Sequence, residues 1–95
     1  MALSDIRQQR IEILRIARKH GAREVRLFGS VVRGGATNDS DVDVLVKMDE
    51  GRSLLDRIAM IHELQDLLHC KVDVVNERAL HRVLRERVLS EGVPL

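Results

Sequence analysis

The sequence predicts an α/β (α+β) fold, a small mixed β-sheet of about three strands packed with helices, and three observations carry that prediction. Residues 25–28, 41–46 and 71–75 are short valine-rich or apolar runs with period-two alternation, the pattern of half-buried strands. Around them lie longer segments with apolar residues three and four apart, the pattern of helices that bury one face. No proline precedes Pro94 and no stretch is of low complexity, so residues 1–95 are expected to form a single domain without an internal linker.

Taken in order, Ser4 or Asp5 can cap a first helix whose inward stripe is Leu3, Ile6, Ile13, Leu14 and Ala17. Gly21, just past the basic turn at Lys19 and His20, ends it. The strand at 25–28 stops at Gly29, and Ser30 can begin a new helical turn. In the next strand Val42, Val44 and Val46 share one face, which belongs in the core, while Asp41, Asp43 and Leu45 share the other. A turn at 49–51 leads to a helix over about 52–69. There Ile58, Ile61 and Leu68 are expected to face the sheet, leaving Met60, Leu64 and Leu67 as a second stripe, covered by the first helix or open to a partner. A strand at 71–75 and a last helix over 79–90 complete the order, with Arg78, Arg82 and Arg85 expected on a solvated face beside Glu77, Glu86 and Glu91.

Composition excludes several functions. With 95 residues, 44% hydrophobic and 33% charged, the chain suits one small globular core rather than a disordered or fibrous state. Phe28 is the sole aromatic residue among Phe, Trp and Tyr, and the net charge is +1. Neither a base-stacking platform nor a long-range basic field exists, so direct nucleic-acid binding is not expected. The first residues lack the regions of a secretory signal and no apolar run approaches the ~18 residues of a membrane span, so a cytoplasmic protein with no membrane association is expected. Cys70, the sole cysteine, reads as a small buried apolar residue. His20, His62, His69 and His81 fall on helices or at their ends, where the helix dipole accounts for them, and no zinc site is expected.

Aspartate is depleted in strands, yet three interrupt two valine-rich ones. If those strands are neighbours, Asp41, Asp43 and Asp73 converge, and unit charges ~4 Å apart repel by about 4 kcal/mol at an effective dielectric of 20. A cation must offset that repulsion. No lysine or arginine stands between Asp41 and Asp43, while clustered hard oxygen donors beside a phosphate site suit Mg²⁺. The plainer reading puts the first two acids on a solvated face near a sheet edge, where charge discourages pairing between molecules. It leaves Gly29 and Ser30, and the recurrence of Asp73, without a reason.

Gly29 and Ser30, Arg33 and Gly34, the run from Ser40 to Asp43, and Asp73 together resemble the nucleotidyltransferase superfamily of DNA polymerase β type. The small size resembles its minimal nucleotidyltransferase branch, the MNT or MntA-like antitoxins encoded beside HEPN-domain toxins, as does the ending Val93-Pro94-Leu95. Val31 and Val32 replace the small or basic residue that many relatives carry before Arg33, a departure that touches neither metal nor phosphate chemistry. The resemblance implies the nucleotidyltransferase fold and ATP as substrate, with Gly29, Ser30, Arg33 and Ser40 binding the nucleotide, Ser40 by bracing the loop before Asp41. It implies two Mg²⁺ ions held by Asp41, Asp43 and Asp73, the three catalytic acids, with Asp73 also accepting the proton of the attacking hydroxyl.

By the same resemblance AMP passes to a tyrosine of a cognate HEPN ribonuclease toxin and silences it. The chain has no tyrosine, so the acceptor must lie in another molecule. Two alternatives remain open at this level: an antitoxin that neutralises its toxin by binding alone, and a nucleotidyltransferase acting on a small molecule.

Overall fold

A computed structural model describes residues 2–34 and 41–95. Within them the strand-like runs become β1 (Ala22–Phe28), β2 (Val42–Met48) and β3 (Val72–Asn76), joined by β4 (Val93–Pro94) in the order β3-β2-β1-β4. β1 runs antiparallel to both β2 and β4, and β2 runs parallel to β3. The sheet thus has one strand more than expected. Two residues are too few to show a period, and Pro94 argues against a strand except at an edge, where its missing N–H does no harm and where it is found.

The helices are α1 (Leu3–Gln8), α2 (Arg10–Lys19), α3 (Ser30–Arg33), α4 (Leu54–Leu68) and α5 (Arg82–Glu91), with a 3-10 turn at Glu77–Ala79. The single first helix of the sequence reading is two, broken at Gln9, whose amide closes α1 on the Ile6 carbonyl while its own carbonyl opens α2 by accepting from Ile13 N–H. Its cap also differs. Ala2 occupies the N-cap position and Asp5 satisfies it from inside the helix, accepting the Ala2 amide at 3.0 Å. Ser53 and Asp56 start α4 in the same way, with the Ser53 amide 2.8 Å from the Asp56 carboxylate.

The expected sheet-facing stripe of α4 needs correction. Met60, Leu64 and Leu68 are buried, Ile61 and Leu67 flank them, and Ile58 is exposed. Ile58 stands two positions from Met60, more than half a turn round the helix, and so falls on the far side. The last helix also starts later than expected. Asn76 holds the 3-10 turn by accepting the Arg78 amide, and His81 Nδ1 accepts from Val83 N–H at the start of α5.

One face of the sheet forms the core. Leu27, Val44, Val46 and Val74 meet Ile6 and Ile13 from the first two helices and Met60 and Leu64 from α4. Cys70 is partly buried against this cluster, and burial pushes its thiol pKa up. Along the outer side of β3, Gln65 Oε1 accepts from Val72 N–H at 3.1 Å and Arg57 donates to the Val74 carbonyl at 3.0 Å. The opposite face carries the acids, and there α5 lies over the sheet without burying any of its own residues. Among the described residues no helix is long and apolar enough to cross a membrane.

Leu64→Ala should therefore lower unfolding free energy by about 2–5 kcal/mol. Leu55→Ala, at a site 76% exposed on the same helix, should change it by less than about 0.5 kcal/mol. Urea denaturation followed by circular dichroism measures both.

Candidate active site

The register of the two parallel strands pairs Asp43 directly with Asp73. Side chains alternate along a strand, so the valines on either side of each acid point into the core and both carboxylates point to the opposite face. Asp41 immediately precedes β2 and is half-buried, as Asp43 is, while Asp73 is exposed. On the other flank Phe28, the last residue of β1, pairs with Asp43, so the chain turns at Gly29 beside that carboxylate. Ser30 then opens α3, and the buried Val31 pins the short helix to the core.

Gly29 has φ 76° and ψ −151°, a combination that glycine alone adopts readily. A Cβ there would also lie 2.3 Å from Asp43 Oδ2. The turn is thus pressed against the carboxylate, with the Val32 and Arg33 amides both bonded to the Gly29 carbonyl at 3.2 Å.

Asp43 is the electrostatic centre. Burial first, then the negative charges of Asp73 and Asp41, push its pKa above the ordinary 3.8, and the Arg33 guanidinium opposes them in part. The predicted acids are therefore brought together, with Gly29 and Arg33 beside them. Ser40 lies outside the described residues.

Among the described residues no three His, Cys, Asp or Glu side chains stand as a ready metal cage. The donor set nevertheless fits Mg²⁺, which takes one or two carboxylates and completes its octahedron with water and substrate phosphates. Asp41 and Asp43, with Asp73 in register, supply hard oxygens whose mutual repulsion a divalent ion would relieve.

A cleft of about 290 Å³ opens beside Asp43, walled on the sheet side by Phe28, Gly29 and Arg33. Its far wall is α5, through Leu84, Arg87, Val88 and Glu91. The sequence reading passed over this wall and placed Glu91 on a solvated face. The spacing of three, one and three along positions 84, 87, 88 and 91 marks one helix face and could have shown it, but only the fold reveals that the face meets the acids.

The model of the nucleotidyltransferase domain family matches residues 10–95. The chain belongs to that family. It is a nucleotidyltransferase enzyme, similar to the protein adenylyltransferase MntA of Thermococcus cleftensis, with 44% identity over 75 residues that cover 79% of this chain and 76% of the relative. A solved structure assigned as a minimal nucleotidyltransferase superposes with TM-score 0.90 at 48% identity, covering 100% of this chain and 97% of its own. A crystal structure of a toxin–antitoxin with AMP-PNP matches with TM-score 0.76 at 26% identity, over 87% of this chain and 68% of that one. The nucleotidyltransferase fold expected from the motif is thus the fold observed.

Two outcomes follow for this nucleotidyltransferase. Gly29→Ala should cost about 1–3 kcal/mol of stability from backbone strain, with further loss as the Asp43 carboxylate is displaced, read by chemical denaturation. Because the folded state holds the Asp43 proton more tightly than the unfolded state, the contribution of this group to stability falls as pH rises through and above 3.8. Asp43→Asn should accordingly raise the thermal midpoint of the metal-free protein at neutral pH, and the gain should vanish as pH drops below that value, measured by calorimetry across pH.

Proposed function

We propose that this nucleotidyltransferase is an Mg²⁺-dependent antitoxin that transfers AMP from ATP to a tyrosine of a cognate HEPN ribonuclease toxin, with residues 1–95 acting as one cytoplasmic domain. The observation that carries the reading is the contact of the Gly29 turn with Asp43, directly opposite Asp73, which sets a phosphate-type turn against paired carboxylates. Support for the acceptor class comes from similarity to a protein adenylyltransferase and to a chain of a toxin–antitoxin crystallised with AMP-PNP. The absence of tyrosine from the chain requires that a tyrosine acceptor come from a partner.

In this mechanism the bare backbone at Gly29 lets the triphosphate approach closely, and the Ser30 hydroxyl and amide donate to its phosphate oxygens. Arg33, at the end of the same short helix, adds positive charge. Asp41, Asp43 and Asp73 would hold two Mg²⁺ ions, which supply charge neutralisation on the phosphates and polarisation of the attacking hydroxyl. Asp73 accepts the proton of that hydroxyl. The new bond joins the acceptor oxygen to the α-phosphorus, the bond from that phosphorus to the β-phosphate oxygen breaks, and pyrophosphate leaves with the electron pair.

Incubation with labelled ATP, Mg²⁺ and the toxin encoded beside it should move label, and the mass of AMP, onto the toxin. The Asp41→Asn, Asp43→Asn double variant should reduce transfer at least a hundredfold by order of magnitude. Equal neutralisation of the toxin by both forms with no gain of mass would refute the catalytic reading and leave binding alone as the mode of action.

A further inference from the structure

Arg87 has no part in the mechanism above, yet it shares the cleft with Gly29, Arg33 and Asp43. Its side chain is 76% exposed, and its ion pair with Glu91 is long, at 3.8 Å. An exposed pair of that kind contributes little to stability. The helix that bears it gives no buried residue to the core, and Leu84 on the same face remains half exposed. A helix that packs so lightly, yet sets a guanidinium and two apolar side chains across from Asp43, is better placed to meet a ligand than to hold the fold.

We infer that Arg87 binds the β- and γ-phosphates of the nucleoside triphosphate, exchanging Glu91 for phosphate oxygens, and that the cleft between the Gly29 turn and α5 receives the triphosphate tail. This rests on the reading of the site as one for a nucleoside triphosphate. Two features favour the tail over the acceptor as the occupant. The first is charge: Arg33 and Arg87 face the cleft from opposite walls, and the planar guanidinium fork matches phosphate oxygens in pairs. The second is direction. Asp73 lies on β3 and the cleft opens on the β1 side of Asp43, so the sheet order sets them on opposite flanks of that carboxylate. In-line displacement puts attacking and leaving oxygens on opposite sides of the phosphorus. If the acceptor hydroxyl stands at Asp73, pyrophosphate departs toward Arg87.

Isothermal titration with ATP and with AMP, each with Mg²⁺, tests this in the whole chain and in Arg87→Ala, Arg87→Lys and Glu91→Gln variants. Arg87→Ala should weaken ATP binding by about tenfold to a hundredfold, the worth of a hydrogen-bonded charge pair, and leave AMP binding nearly unchanged. Arg87→Lys should recover part of the loss, and Glu91→Gln should tighten ATP binding by removing a competing negative charge. Thermal midpoints without nucleotide should not move, since both side chains are exposed. Unaltered ATP binding by Arg87→Ala, or equal loss of ATP and AMP, would overturn the inference while leaving the parent reading intact. Absence of ATP binding by the unaltered chain would instead remove the parent reading, and this inference with it.

Discussion

The charge of Asp43, set in register with Asp73 and two residues from Asp41, sets the terms for the rest of the molecule. Among the described residues Asp43 feels burial and the charges of Asp73 and Asp41, and the Arg33 guanidinium offsets them only in part, so ionising this group works against the folded state. What holds the acids there is the face beneath. Val42, Val44 and Val46 alternate with the acidic face, and Val72 and Val74 do the same on β3, so the packing that builds the core also fixes which side each acid occupies. A slip of one residue in register would carry the valines into solvent and the acids into the core, which makes the spacing of the site as robust as the hydrophobic interior.

The same constraint explains the Gly29 turn. A side chain at that position would collide with Asp43, and the backbone there already occupies a region other residues avoid. Turn and carboxylate are therefore one structural unit, joined by the antiparallel pairing that sets Phe28 opposite Asp43. Val31 is buried, and so it anchors the short helix that carries Ser30 and Arg33.

Much of this was legible from residue order. Period-two runs located β1, β2 and β3 within a few residues, and Asp41, Asp43 and Asp73 stood out because aspartate is a poor strand former. Gly29 and Ser30 located the turn for the same reason, as a break after an apolar run. What escaped was tertiary. The pairing of Val93 and Pro94 with β1 depends on the backbone of Arg26 and Leu27 and leaves no local pattern. The buried side of α4 could not be chosen from spacing because apolar residues lie on nearly every side of it, and packing against β3 and α2 selects Met60, Leu64 and Leu68. Nothing in the spacing of the last helix singles out Arg87, because only the placement of α5 beside Asp43 gives that residue a neighbour on the acid-bearing face.

The two lateral borders of the sheet have a consequence for how other molecules can attach. At one border the outward amide of Val72 and the outward carbonyl of Val74 are already engaged by Gln65 and Arg57 from α4. At the other, the outermost strand is two residues long and contains a proline. An incoming extended segment thus meets an interrupted ladder at one border and a short, proline-bearing strand at the other, two devices that discourage edge-to-edge pairing between chains.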